Sequence, residues 1–480
     1  MNRRMVMYMV GQIVKLEAAA LLLPALVALI YREACLWAIL TTVVIALVFG
    51  FALTLISRPR SQVIYAREGF VIVALSWLTL SAVGALPFYI SGEIPLYTDA
   101  FFETVSGFTT TGASILTDVE AMSRGLLFWR SFTHWIGGMG VLVLIMAIVP
   151  SVSGRNMHIL RAEMPGPVVG KLMPRIRDTA KILYIIYLAM TAALVVLLLC
   201  GGMSLFDSLV HAFGTAGTGG FGIKADGVAG YSPYLQWVIG IFMLLFGVNF
   251  NLYYLILIRQ AKTAFKSREL WLYIAIVLGA TAIISFNVAP MYNGAEETVR
   301  TALFQVAAII TTTGFSTTDF NLWPAVSKGV LFLLMFIGGC AGSTAGGFKL
   351  SRAQLLLSAA RRDLRRLLHP RSVGVIKMEG KRLDEASISG ASAYLTLYIL
   401  IIAVGSLLLC FEPFGIETNF SAMVSCFNNV GPGFGLVGPA ASYAIYSPLS
   451  KFILSMAMLF GRLEIYPLLF MLIPSTWTKK

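Results

Sequence analysis

The sequence predicts an all-α polytopic membrane protein: two N-terminal transmembrane helices followed by four repeats of helix, half-length helix, helix. Three observations predict it. Hydrophobic residues make up 58% of the 480 and charged residues only 12%, about half the charge of a soluble domain, and the mean hydropathy is +0.82. Apolar runs of about 20 residues recur along the whole chain, the length a helix needs to cross a bilayer. They are continuously apolar rather than alternating, so helices and not barrel strands span. Finally, one pattern returns four times: a long apolar helix, a semi-polar segment too short to span, a glycine-bearing turn, and another long helix.

The first two spans are expected near 13–31 and 34–56. The basic start and apolar run resemble a signal peptide, but no convincing small-residue cleavage site follows and a second span begins at once. Repeat one has helices near 69–91 and 123–149, the segment "YTDAFFETVSGF" and the turn "TTTGAS". Repeat two has helices near 179–201 and 232–259, with "SLFDSLVHAF" and "GTAGTGGFG" between them. Repeat three has helices near 268–289 and 325–357, with "EETVRTALFQVAAI" and "TTTGFST". Repeat four has helices near 389–411 and 445–474, with "ETNFSAMVSCFN" and "NVGPGFG". As units, the chain divides into an N-terminal extension (1–60), repeat one (61–150), repeat two (151–262), repeat three with a glycine-rich loop (263–358), and a cytoplasmic segment with repeat four (359–480).

The aligned glycines are Gly112, Gly220, Gly314 and Gly431. Equivalent units of this kind tend to surround a common axis. Each short segment opens near Asp99, Asp207, Glu296 or Glu417, residues suited to a helix N-terminus. Ten or so helical residues make about 15 Å, half a bilayer, so each segment is expected to dip in from outside and return.

The net charge of +13 looks at first like a nucleic-acid signature, but topology explains it better. Basic residues cluster at Arg58/Arg60/Arg67, Arg155 to Lys181, Arg259 to Arg268 and Lys349 to Arg382, while the intervening loops carry Glu93, Asp118, Asp207, Glu297 and Glu412. Basic loops stay in the cytoplasm, which puts both termini inside. The five scattered cysteines contain no CxxC pair and read as apolar fillers.

Non-helical backbone at membrane depth must be buried in protein or line a water path. Four such turns on one axis bring sets of carbonyl oxygens together, which can replace the hydration shell of an alkali cation. The half-helices aim their partly negative C-terminal ends at the centre. Glycine permits the backbone angles required, and threonine hydroxyls can add ligands or brace the turn. The candidate ion-binding residues are Thr110, Thr111 and Gly112; Thr218, Gly219 and Gly220; Thr312, Thr313 and Gly314; Asn429, Val430 and Gly431. The blander reading gives these glycines only a close-packing role; four turns at matching positions argue against it. "GTAGTGGFG" and "GGCAGSTAGGFK" lack the GxxxxGK[ST] order of a phosphate loop.

The segments "RSFTHWIGGMGVLVL" (130–144), "TTTGFS", "GGCAGSTAGGFK" (338–349), "NNVGPGFG" (428–435) and "GRLEIYPLL" (461–469) carry a resemblance. Over nearly its whole length the chain resembles the Trk/Ktr/HKT superfamily of potassium transporters, and within it the bacterial Trk membrane subunit. The resemblance implies a single-chain pseudo-tetrameric pore with potassium as the only bound ion and no organic cofactor on this chain. It implies a homodimer in the inner membrane and a cytosolic ring of TrkA-type nucleotide-binding regulatory subunits. With all four glycines present, the resemblance implies potassium rather than sodium. Turn two, Gly217 to Gly220, departs from TTTG, which suggests modest selectivity.

The second helix of repeat three is interrupted by "GGCAGSTAGG". Each glycine there costs up to about 1 kcal/mol against alanine in a helix, so a hinge or unwound loop is expected. A tight seam of small residues is the competing reading. By resemblance, the matching segment obstructs the pore on the cytoplasmic side. The candidate gate is Gly338, Gly339, Gly342, Ser343, Thr344, Gly346, Gly347 and Lys349, with Arg462 projecting beside them. An arginine at mid-membrane faces the bundle interior or water; a static pair with a carboxylate or with loop carbonyls is its plainer role. Lys349 is expected to snorkel to the cytosolic side. Arg130 reads as structural, and His134 as a satisfied core histidine. The basic stretch 361–386 reads as an inside-topology signal with lipid affinity or as a docking site for the regulatory ring. The alternative to a channel-like transporter is a sodium-preferring or ion-coupled symporter of the same superfamily. An intramembrane enzyme would need a catalytic set that does not stand out among four histidines.

Overall fold

The computed structural model describes residues 1–59, 65–140, 176–371, 374–378 and 381–478. Arg60, residues 141–149 of the expected second helix of repeat one, and the basic stretch from Arg155 to residue 175 lie outside the described residues.

Asn2 caps the first helix by accepting the Met5 N–H. That helix runs from Arg3, ten residues before the expected start, and continues with Leu22–Tyr31 as one apolar span. The early start is tertiary: Met5, Val6, Met9 and Val10 are buried against the rest of the chain, although Arg3 and Arg4 keep the local hydropathy low. Cys35–Ile56 follows as expected.

The first helices of the repeats are Ala66–Gly84 with Leu86–Ile90, Ile176–Cys200, Arg268–Val288 and Glu385–Leu409. The half-helices are Tyr97–Phe108, Leu205–Ala216, Ala295–Ile310 and Ile416–Phe427. Each carries an acid in its first turn, where the positive end of the helix favours it.

The second helices are shorter than their hydropathy suggests: Arg124–Gly138, Pro233–Phe246, Ala325–Ile337 and Pro448–Arg462. Two were expected to be continuous and are not. The 232–259 helix bends by 90° between Phe246 and Phe250, and the 445–474 helix by 120° between Arg462 and Tyr466. The third breaks at Gly338, as expected, and resumes as Leu350–Leu368. Hydropathy registers how apolar a run is and not its direction, so a break made of Gly247, Val248 and Asn249 leaves no trace in it. By length and composition, six described helices can each cross a membrane, and eight if each bent pair is one span.

The half-helices stand at the centre. That of repeat one packs on the second helices of repeats one and four. That of repeat two packs on the second helix of repeat one, that of repeat three on the second helix of repeat two, and that of repeat four on the second helix of repeat three. The ring therefore closes, a pseudo-tetramer in one chain. An ion pair of 2.8 Å between Lys451 and Asp99 spans its seam between repeats four and one. Large apolar side chains such as Trp37, Phe286 and Phe411 face outward, as lipid-facing surface requires. Among the described residues the all-α expectation has one small exception: Lys377–Met378 and Lys381–Arg382 pair as antiparallel strands in the basic segment.

Candidate functional site at the centre of the four repeats

All four half-helices end in the same way. The residue after the cap has a left-handed backbone: Thr110 at φ 54°, Thr218 at 54°, Thr312 at 55° and Asn429 at 56°. Its N–H bonds back to the carbonyl three residues earlier, on Gly107, Thr215, Ile309 and Cys426. The next N–H reaches five residues back, from Thr111 to Ser106, Gly219 to Gly214, Thr313 to Ala308 and Val430 to Ser425, at 2.8–2.9 Å. This is the Schellman termination. It consumes the amide groups of the turn and leaves the following carbonyls free of the helix. A threonine in this region costs about 1–2 kcal/mol, so the surroundings hold it there.

The glycine two residues on is also left-handed in every turn, from 78° to 100°. A Cβ on Gly112 would lie 2.0 Å from the Gly219 carbonyl oxygen. On Gly220 it would lie 1.9 Å from that of Thr313, on Gly314 2.2 Å from that of Val430, and on Gly431 2.6 Å from that of Thr111. These four carbonyls occupy the same position in their turns, and each abuts the glycine of the preceding repeat. The twelve candidate residues are thus brought together around one axis. Carbonyl dipoles and four helix C-termini converge there, a site suited to a cation.

The turns are braced differently. In turns one and three, Thr109 and Thr111, and Thr311 and Thr313, pair their hydroxyls at 2.8 and 2.7 Å. These threonines brace rather than point free. In turn four, the Asn429 amide donates to the Thr111 hydroxyl and the Met458 carbonyl at 2.9 Å each, and the Tyr398 hydroxyl donates to the Asn428 side chain. Turn two has glycine at both brace positions, Gly217 and Gly219, and lies against His134 of repeat one.

On the half-helix side the four glycines floor an open cup of about 310 Å³ whose wall includes Arg130 and Lys224. Arg130, which reads as structural in the sequence, lies in the second turn of its helix. It pairs with Glu103 at 2.6 Å, donates to the Gly222 carbonyl at 3.0 Å and covers the Phe221 ring. Glu103 in turn accepts from the Ser114 hydroxyl and the Ile115 amide.

On the other side lies the glycine-rich loop, unwound as expected. Gly338, Gly342 and Gly347 have φ of 72–78°. The loop is seated in the break of repeat two's second helix: the Cys340 N–H donates to the Gly247 carbonyl and the Phe250 N–H to the Gly342 carbonyl, both at 3.0 Å. The Gly346 N–H donates to the Thr312 hydroxyl of turn three, and a Cβ there would meet the Asn428 carbonyl at 2.7 Å. Gly339 packs on Ser343, whose hydroxyl donates to the Cys340 carbonyl, and Thr344 donates to the Phe246 carbonyl. Among the described residues a cavity of about 50 Å³ lies beneath it, lined in part by Gly346, Gly347, Lys349 and Arg462.

Arg462 reaches this loop. It donates to the carbonyls of Thr344 at 2.9 Å, Gly137 at 2.5 Å and Gly138 at 2.8 Å. Its neighbour Glu464 pairs with Arg352 at 2.5 Å. The snorkelling expected of Lys349 is not observed. Lys349 is buried, has φ 74°, and turns its ammonium back onto the Ala345 carbonyl. The carbonyl it finds inside the loop replaces the water it would otherwise seek. Sequence reasoning passed over Asn249, which the loop's Gly342 touches, and Glu269, which accepts the Ala341 N–H at 2.8 Å. An acid in the first turn of an apolar span was the one available signal.

Residues 36–479 match the family described as "TrkH: Cation transport protein". The chain is 39% identical to the Trk system potassium uptake protein TrkH of Salmonella typhimurium, over 99% of this chain and 100% of that one. It is 33% identical to the Trk system potassium uptake protein TrkG of Escherichia coli K12, over 99% and 98%. The crystal structure of the potassium transporter TrkH from Vibrio parahaemolyticus superposes with a TM-score of 0.89 and 34% identity, covering 100% of both chains.

Proposed function

The chain belongs to the TrkH family of cation transport proteins, and from this premise we propose that it takes up potassium ions across the cytoplasmic membrane. The ion sheds its water into the ring of carbonyls from Thr111, Gly219, Thr313 and Val430 and their neighbours in the four turns. The observation that carries this reading is the cyclic contact of each turn's glycine with the next turn's carbonyl, which makes one conduit of four unequal parts. The potassium uptake proteins among its relatives support the choice of ion.

In this reading the loop from Gly338 to Lys349 is the gate. It sits directly under turn three, and Arg462 holds it with a positive charge beneath the ring. The basic segments support an orientation with this side toward the cytoplasm. A nucleotide-binding partner acting on the helix after Leu350, and pairing of two copies, complete the proposal.

The test is ion flux through the full chain in lipid vesicles. Potassium is expected to pass in preference to sodium, and Gly314→Ser to lower that preference by placing a side chain against the Val430 carbonyl. Sodium passing as readily as potassium through the unaltered chain would overturn the reading. Ion-coupled symport could draw on Glu17, a buried acid whose carboxylate oxygens have no hydrogen-bond partner among the described residues. Uptake that follows an imposed pH gradient would favour that alternative.

A further inference from the structure

Turn two asks why two threonines are replaced by glycine. Gly217 has φ −70°, and Gly219 is not among the positive-φ residues. Neither backbone therefore requires glycine, unlike Gly220 at φ 78°. What requires it is space. The three atoms nearest a Cβ on Gly219 would all belong to the His134 imidazole: Nδ1 at 2.3 Å, Cγ at 2.4 Å and Cε1 at 2.6 Å. A Cβ on Gly217 would meet the His134 carbonyl oxygen at 2.2 Å.

From this fit we infer that His134 is the brace of turn two and that, with Gly219, it is a specificity-determining pair for the transported ion. The inference rests on the reading of the four turns as an ion path. His134 is a positioning residue: it acts through the turn and not on the ion.

The imidazole is a wedge with two fixed sides. Its Nδ1 lies 2.7 Å from the Gly107 carbonyl at the end of half-helix one, so Nδ1 carries the proton. Its ring lies 4.2 Å from that of Phe221, the residue after Gly220. Behind it, the helix is clamped to half-helix one, since a Cβ on Gly107 would strike the Thr133 hydroxyl at 2.2 Å. His134 is fully buried. It thus transmits the position of half-helix one to the Gly219 carbonyl, which is the carbonyl that abuts Gly112. In turns one and three the hydroxyl pairs do this work within the turn. Here the ring of a neighbouring repeat does it. Discrimination between alkali ions depends on how many carbonyls face the ion and how firmly they are held, so a loosened turn two weakens it.

The test compares potassium and sodium flux through the full chain in vesicles for His134→Ala, Gly219→Thr and the double variant. His134→Ala is expected to lower the potassium-to-sodium ratio about fivefold, the change that one net hydrogen bond carries. Gly219→Thr alone, with its clash intact, is expected to lose most flux. The double variant opens room for a threonine whose hydroxyl faces the vacated Gly107 carbonyl, and it is expected to regain at least half of the lost ratio. A double variant no more selective than His134→Ala would show a plain packing role and overturn the inference. Where His134→Ala does not fold, His134→Gln, which keeps an N–H donor without the ring, is expected to show the lowered ratio, and an unaltered ratio overturns the inference. An unaltered chain with no preference for potassium ends the parent reading instead. A selective chain with an unmoved His134→Ala variant ends only this inference.

Discussion

The hydroxyl of Thr312 accepts the backbone N–H of Gly346 at 2.7 Å, one bond that joins the third turn directly to the loop beneath it. Thr312 has no equivalent in this respect: Thr218 donates within its own turn, and Asn429 reaches Thr111 and Met458. The proposed ion path and its proposed gate therefore share a residue. Thr312→Val keeps the shape and removes the acceptor, leaving the buried Gly346 N–H unpaired at about 1–3 kcal/mol. Resting flux through the chain in vesicles is expected to rise several-fold, while Thr312→Ser behaves as the native chain. Equal resting flux in both would dissociate this bond from gating.

Arg462 holds three carbonyls from two repeats at once. Arg462→Ala frees the loop and removes a positive charge from beneath the ring, so resting potassium flux is expected to increase, by about tenfold or more if each charged hydrogen bond contributes even 0.5 kcal/mol to closure. Arg462→Lys, with a point charge in place of a planar fork, falls between. Vesicle flux of rubidium as a potassium tracer measures both; no change in the alanine variant removes Arg462 from the gate.

The ring predicts which glycines tolerate a side chain. Gly220→Ala puts a methyl 1.9 Å from the Thr313 carbonyl oxygen in a backbone region that alanine disfavours, and is expected to abolish potassium selectivity or flux. Gly222→Ala, two residues on, meets nothing nearer than 3.8 Å and is expected to transport as the native chain does. Similar flux and selectivity in the two variants would contradict the close approach of the turns.

Glu103 and Arg130 form a buried ion pair that staples the exit of turn one to the exit of turn two. Removing one charge leaves the other buried, and such changes cost about 3–5 kcal/mol. Glu103→Gln is expected to lower the thermal unfolding midpoint of the detergent-solubilised chain by several degrees and to depress flux. A midpoint within a degree of the native value would show that water reaches the pair.

Much of this site was legible from residue order. The half-helices, their acidic starts and the four glycine turns follow from spans too short to cross and from residue types with few alternative uses. The unwound loop followed from glycine density, which a helix does not bear. The breaks at Gly247 and Arg462 were not legible, because a window of apolar residues reads the same whether straight or bent. Lys349 was misplaced for a related reason. Its local surroundings predict a route to water, whereas the loop folds so that its own Ala345 carbonyl lies nearer. His134 looked like core because its partners, Gly107 and Gly219, are 27 and 85 residues away along the chain.

The sequence by itself determined the class of the molecule: apolar spans, fourfold recurrence, and turns whose backbone only glycine and a few polar residues adopt. Those are properties of single residues and short windows, governed by hydropathy and dihedral preference. The tertiary structure decided how the four unequal turns meet, which carbonyl each glycine faces, and which neighbour braces the turn whose two brace positions are glycine. These are contacts between residues far apart along the chain, and steric exclusion at 2 Å is set by where the repeats pack and by nothing written within any one of them.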